Sequence, residues 1–146
     1  MSTKTCRHLL ILAFIIAVSS AAGYAQTPTV EMIGAEELKA KVESNNPVTI
    51  IDVRSSEGYA AATTTVKGAI HFKLRKLKYR LAYPPLKNVP KDQEIVTYCA
   101  CPKDEASIAA AQILQASGFK RVKVLQGGWQ EWLRANGPTE PRPKTD

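Results

Sequence analysis

The chain has 146 residues, 45% hydrophobic and 23% charged, with a formal net charge of +7. That length suits one hydrophobic core and no second full domain, and the balance excludes a disordered, collagenous or disulfide-dense chain. The basic excess raises the question of an anionic partner, but no aromatic residues interleave with the cations to make a stacking platform for bases, so no nucleic-acid partner is expected.

Residues 1–25 have a composition of their own. Lys4, Arg7 and His8 precede an apolar run, Leu9–Val18, and small residues follow through Ala25. This is the three-part layout of a secretory signal peptide, with cleavage points at Ser20-Ala21-Ala22 or Gly23-Tyr24-Ala25. The run falls well short of the roughly 20 apolar residues that a membrane-spanning helix needs. The expectation is therefore a processed, periplasmic or secreted protein with no stable membrane insertion after processing; an uncleaved anchor is the alternative. Processing would remove Cys6 and lower the formal charge from +7 to +5, leaving Cys99 and Cys101 as the cysteines.

Beyond that segment, Thr29–Ile33 reads as a short strand and Ala35–Glu43, rich in Ala, Glu, Leu and Lys, as a helix ended by Asn45-Asn46-Pro47. Val48–Val53 is a continuous β-branched run, which suits a parallel strand buried on both faces. A polar stretch, Ser55–Lys67, leads to a brief strand at Gly68–Phe72. Next come Lys73, Arg75, Lys76, Lys78 and Arg80, with Leu74, Leu77 and Leu81 on an i, i+3, i+7 stripe. That spacing predicts an amphipathic helix with its leucines inward and its charges solvated; a membrane-surface or anionic-substrate role is the alternative. Glu94–Tyr98 is the next buried strand, Glu105–Ser117 a helix stopped by Gly118, Arg121–Leu125 a strand, and Trp129–Ala135 a helix after the Gly127-Gly128 turn. Repeated strand-helix order argues for an α/β fold, a mostly parallel five-stranded sheet with helices on both faces. The expected organisation is a signal peptide at 1–25, one domain at 26–138 and a flexible tail at 139–146.

Cys99 and Cys101 lie on the turn between a buried strand and a helix. In open α/β sheets, sites gather at the carboxyl ends of strands. A thiol there meets the positive end of the helix dipole and unpaired backbone N–H groups, both of which favour the thiolate, the nucleophilic form. The same N–H groups can hold an anion. Two cysteines one residue apart are no disulfide framework, and in an exported protein they point to reactivity, the plain alternative being two buried apolar side chains.

Four segments now carry a resemblance: Val48–Arg54, ending in Asp52-Val53-Arg54; Val66–Ile70; Val96–Cys99; and Val122–Trp129 with Trp132. In this order they resemble a rhodanese-homology domain over roughly residues 29–138. The resemblance implies a sulfurtransferase of the thiosulfate:cyanide kind, in which Cys99 accepts sulfane sulfur as a persulfide and passes it to a thiophilic acceptor. It implies a small sulfur donor, thiosulfate or a persulfide, a thiol or cyanide acceptor, and no cofactor or metal. Ala100, Cys101, Pro102, Lys103, Asp104 and Glu105 would form the substrate-binding loop. Asp52 and Arg54 read as structural, ordering a strand end; Gly127-Gly128 as a turn of close backbone approach; Trp129 and Trp132 as packing.

The loop departs from the family pattern, being about two residues longer, with no Arg and a Cys-x-Cys-Pro start. Asp104 and Glu105 would oppose a dianionic donor, with Lys103 the only basic loop side chain, so thiosulfate should be a mediocre donor. A phosphatase built on this fold needs an Arg to grip phosphate, and Glu105 would repel it. A binding module without turnover and a thiol redox function remain as alternatives: Cys101 can attack a persulfide or sulfenic acid on Cys99. The resulting bridge would span a tight turn and be readily reduced.

Overall fold

The computed structural model describes residues 29–143. The proposed signal segment at 1–25 lies outside them. Among the described residues no helix is long and apolar enough to cross a membrane.

Five parallel strands make the main sheet: β1 (Glu31–Ile33), β2 (Val48–Asp52), β4 (Ile70–His71), β5 (Glu94–Tyr98) and β6 (Arg121–Leu125). They lie in the order β1-β6-β5-β2-β4. Central β5 is buried at every position, and its registers with β2 (Ile50 beside Val96, Asp52 beside Tyr98) and β6 (Ile95 beside Val122) are continuous. Such strands have no solvent face, which is why their sequences run β-branched without polar alternation.

Helices cover both faces. On one, α1 (Ala35–Glu43) and α5 (Gly128–Arg134) bring Leu38, Trp129 and Trp132 onto Ile50, Val96, Tyr98 and Leu125. On the other, α3 (Leu74–Arg80) and α4 (Glu105–Ala116) bring Leu77, Ala110, Ala111 and Leu114 onto Ile51, Ile95, Val122 and Val124. The leucine stripe of α3 works as its spacing predicts. Leu77 is fully buried, Leu74 and Leu81 pack partly buried beside it, and Lys73, Arg75, Lys76 and Lys78 face solvent. A buried Leu contributes about 1.5–3 kcal/mol, so the stripe and not the cations holds this short helix down.

Two features depart from the sequence reading. The polar stretch holds a helix, α2 (Ser56–Ala61), whose first turn is capped by Ser55 Oγ accepting from Gly58 N–H at 3.0 Å, and a strand, β3 (Thr64–Val66). The expected flexible tail is not loose at its start: Thr139–Pro141 forms β7, antiparallel to β3 with Thr65 opposite Glu140. Arg142 N–H continues the ladder to Thr63 O at 2.9 Å, and Arg142 Nε donates to Ala62 O, so backbone pairing fixes a segment whose composition reads as frayed.

Candidate active site

Strand β5 delivers Cys99 to its carboxyl end, where the chain turns into α4. Cys99 is 1% exposed while Cys101 is half-buried. The two form a disulfide, with Cα atoms 5.7 Å apart. That separation lies within the ordinary range for a bridge, so one intervening residue, Ala100, suffices to bring the sulfurs together.

Both sulfurs receive backbone N–H groups from the loop and the first turn of α4. Cys101 N–H points at Cys99 Sγ at 3.4 Å, and Ala106 N–H at Cys101 Sγ, also at 3.4 Å. Ser107 Oγ stands 3.5 Å from Cys99 Sγ while donating to Asp104 O at 2.8 Å. Ser107 is itself held from behind, since its carbonyl accepts from Thr97 Oγ1 at 2.9 Å. Donors converging on sulfur at a helix N-terminus favour negative charge there, as the position of the cysteines implies.

The loop is clamped to α5. Cys99 O accepts from Trp129 N–H at 2.8 Å, and Gly127 N–H donates to Asp104 Oδ2 at 2.8 Å. Gly128 sits at φ +51°, and a Cβ on it would collide with the Cys99 carbonyl. This is the close backbone approach anticipated for Gly127-Gly128.

The clamp separates the two acidic loop residues. Asp104, at φ +55° and 7% exposed, turns its carboxylate inward to Gly127, whereas Glu105, like Pro102 and Lys103, is exposed. Asp104 therefore holds the loop to α5 instead of facing an incoming donor, and Glu105 and Lys103 are the charged loop groups that face solvent.

At the neighbouring strand end, Asp52 and Arg54 are completely enclosed. Arg54 Nε and Nη2 both donate to Asp52 Oδ2, at 2.9 and 2.7 Å, and Tyr98 OH and Thr65 Oγ1 donate to the same oxygen at 2.7 and 3.2 Å. The guanidinium lies 4.4 Å from the centre of the Trp129 ring, a cation–π contact. Burial pushes the Asp52 carboxyl up; His71 beside it and the Arg54 guanidinium more than offset this, holding it at about 2. Burial and the Asp52 charge push the Tyr98 hydroxyl well above the usual tyrosine range, so it stays a donor.

The loop joins β5 to α4 as the chain order predicts, while the contact of Ser107 with Cys99 Sγ and the Asp104–Gly127 clamp were not expected. Ser107 had one signal, its place in the first turn after the loop; the inward turn of Asp104 had none.

Fold and site define an α/β domain presenting a cysteine pair at the carboxyl end of its central strand. The chain belongs to the rhodanese-like family, whose domain model, "Rhodanese-like domain", matches residues 34–135. Among curated relatives, it is 31% identical over 108 residues to the putative sulfur carrier protein YrkF of Bacillus subtilis, covering 74% of this chain and 52% of that protein, so it spans about half of that relative's length. It is 30% identical to arsenate reductase 2.1 of rice, Oryza sativa, over 75% of this chain and 71% of that one. It is 27% identical to the putative sulfurtransferase YtwF of Bacillus subtilis, over 77% and 97%. Among solved structures, the crystal structure of the Alr3790 protein from Anabaena is similar with a TM-score of 0.63 and 30% identity, over 75% of this chain and 81% of that one.

Proposed function

We propose that this protein is an exported sulfurtransferase that carries sulfane sulfur as a persulfide on Cys99 and hands it to a thiophilic acceptor such as a thiol or cyanide. The observation that carries the reading is the convergence on one buried sulfur: Cys99 Sγ, at the end of β5, receives Cys101 N–H and lies beside the Ser107 hydroxyl. Such an environment supports a thiolate for attack on the donor, and then the negatively charged outer sulfur of the persulfide. Relatives named as sulfurtransferase and sulfur carrier accord with it. Export rests on the layout of residues 1–25.

In the forward step the Cys99 thiolate attacks the outer sulfur of thiosulfate, the sulfur–sulfur bond of the donor breaks, and sulfite leaves with the electron pair. The acceptor then attacks the outer sulfur of the Cys99 persulfide and returns the thiolate. Peptide mapping of reduced protein after exposure to thiosulfate tests this, with one added sulfur expected on the Cys99 peptide. Cys99 left unmodified by every donor offered, thiosulfate and organic persulfides alike, would overturn the reading. Amino-terminal sequencing of protein recovered from outside the cytoplasm should begin near Gln26; residues 1–25 retained in the membrane fraction would support an anchored form instead.

A further inference from the structure

We infer that Cys101 is a resolving thiol, and that the protein itself reduces the sulfane sulfur it accepts and releases it as hydrosulfide. The inference rests on the proposed Cys99 persulfide and extends it to a second reaction of the same site.

Three observations carry it. The loop backbone holds Cys101 Sγ within bonding reach of Cys99 Sγ, since the two are joined in a disulfide. The atom it reaches is the inner sulfur of the persulfide, the one bonded to the Cys99 side chain. Ala106 N–H bonds Cys101 Sγ at 3.4 Å and so favours its thiolate, as Cys101 N–H does for Cys99. Finally, the two sulfurs differ in access: Cys99 is 1% exposed, whereas Cys101 is half-buried. A cleft of about 380 Å³, lined among others by Val53, Lys73, Leu74 and Ala106, reaches Ala106, the residue whose N–H holds Cys101, but not the cysteines themselves.

The chemistry balances without a cofactor. The Cys101 thiolate attacks Cys99 Sγ, the bond from Cys99 Sγ to the outer sulfur breaks, and the outer sulfur leaves with the electron pair, taking one proton from water, as hydrosulfide. The two cysteines lose two electrons and become the disulfide, and the sulfane sulfur gains them. An external dithiol reductant then attacks the more accessible sulfur, Cys101, expels the Cys99 thiolate, and leaves as its own disulfide. Sulfur transfer to an acceptor and release of sulfide are thus competing fates of one persulfide.

The test is a single turnover. Reduced wild-type protein freed of reductant is given thiosulfate, which releases no sulfide by itself, with no acceptor present; sulfide is trapped by alkylation and the protein mass is measured. Wild type should release a stoichiometric amount of sulfide and end two hydrogens lighter than the reduced protein, as the disulfide. Cys101→Ser should instead end one sulfur heavier and release none. A wild-type protein that keeps a stable Cys99 persulfide with Cys101 as a free thiol overturns the resolving role and leaves the carrier reading intact. If neither protein gains sulfur nor forms sulfide, from thiosulfate or from an organic persulfide, both fall. The wild-type measurement decides by itself, so the outcome does not depend on how the variant folds.

Discussion

The carboxyl ends of two adjacent strands, β2 and β5, stand side by side and are built for opposite purposes. The β2 end gathers full charges, Asp52 and Arg54, and closes over them with Tyr98, Thr65 and Trp129. The β5 end gathers uncharged polar groups, the N–H groups of Cys101 and Ala106 and the Ser107 hydroxyl, around sulfur atoms of which one is half open. In a closed ion pair each charge is answered chiefly by the other, although Arg54 Nη1 keeps no hydrogen-bond partner among the described residues. Dipoles aimed at sulfur remain available for charge that develops there during reaction. The more conspicuous charges of this domain are therefore its scaffold, and the chemistry proposed for it sits with the less conspicuous dipoles.

The sharpest way to break that contrast is to exchange one residue at each end. Cys99→Ser should reduce thiosulfate:cyanide sulfur transfer to background while circular dichroism, and melting compared with reduced wild type, stay unchanged, because a hydroxyl cannot hold sulfane sulfur. Undiminished turnover in the folded variant would move the reaction to Cys101. Arg54→Met should do the reverse, costing about 3–5 kcal/mol in urea unfolding by leaving the Asp52 carboxylate buried without its partner. Its turnover per folded molecule should change far less; a loss equal to that of Cys99→Ser would mean that Arg54 takes part in the chemistry.

Acid tests the β2 end without mutation. Asp52 has its carboxyl lowered from 3.8 to about 2 in the folded protein. A carboxyl held low when folded binds its proton more readily when unfolded, so its contribution of about 2 kcal/mol is complete above about pH 4 and is lost as pH falls towards 2. Unfolding free energies measured over that interval should fall for wild type and flatten for Asp52→Asn; parallel curves would assign the acid sensitivity elsewhere.

The clamp between the β5 end and α5 gives a comparable effect on stability, but at the sulfur. Gly128→Ala places a methyl against the Cys99 carbonyl at a φ of +51° and should cost more than about 2 kcal/mol while slowing transfer. Retained stability and rate would show the loop indifferent to this contact. Glu105→Gln should do least, raising the thiosulfate rate by about twofold or less at low salt, because the side chain is exposed and screened. Equal gains at low and high salt would remove electrostatics as the cause.

Elements whose residues satisfy a local pattern were legible in the sequence. The strands Glu94–Tyr98 and Arg121–Leu125 and the helix Ala35–Glu43 have the predicted bounds, because buried β-branched runs and Ala-, Leu- and Lys-rich stretches are ended by Pro, Asn or Gly nearby. What depended on a distant partner was not. Ser56–Ala61 is too short to show helical periodicity, and Thr64–Val66 becomes a strand through Thr139–Pro141, more than seventy residues away. At the site, the chain order placed the cysteines at a strand end and a helix start, but the direction of the Asp104 carboxylate follows from a left-handed backbone and from Gly127, which no spacing encodes.

The position of β1 bears on the timing of folding. Among the described residues this strand has one neighbour in the sheet, β6, with Glu31 beside Lys123 and Ile33 beside Leu125. At synthesis rates of roughly 5–20 residues per second, the emerging chain carries β1 for about 5–20 s before the strand that receives it has been made. The sheet cannot close during that interval, and even its central pair β2–β5 must await Tyr98. A late-closing order of this kind leaves an unfolded, threadable chain in the time when an export machinery of the kind proposed here would have to engage it.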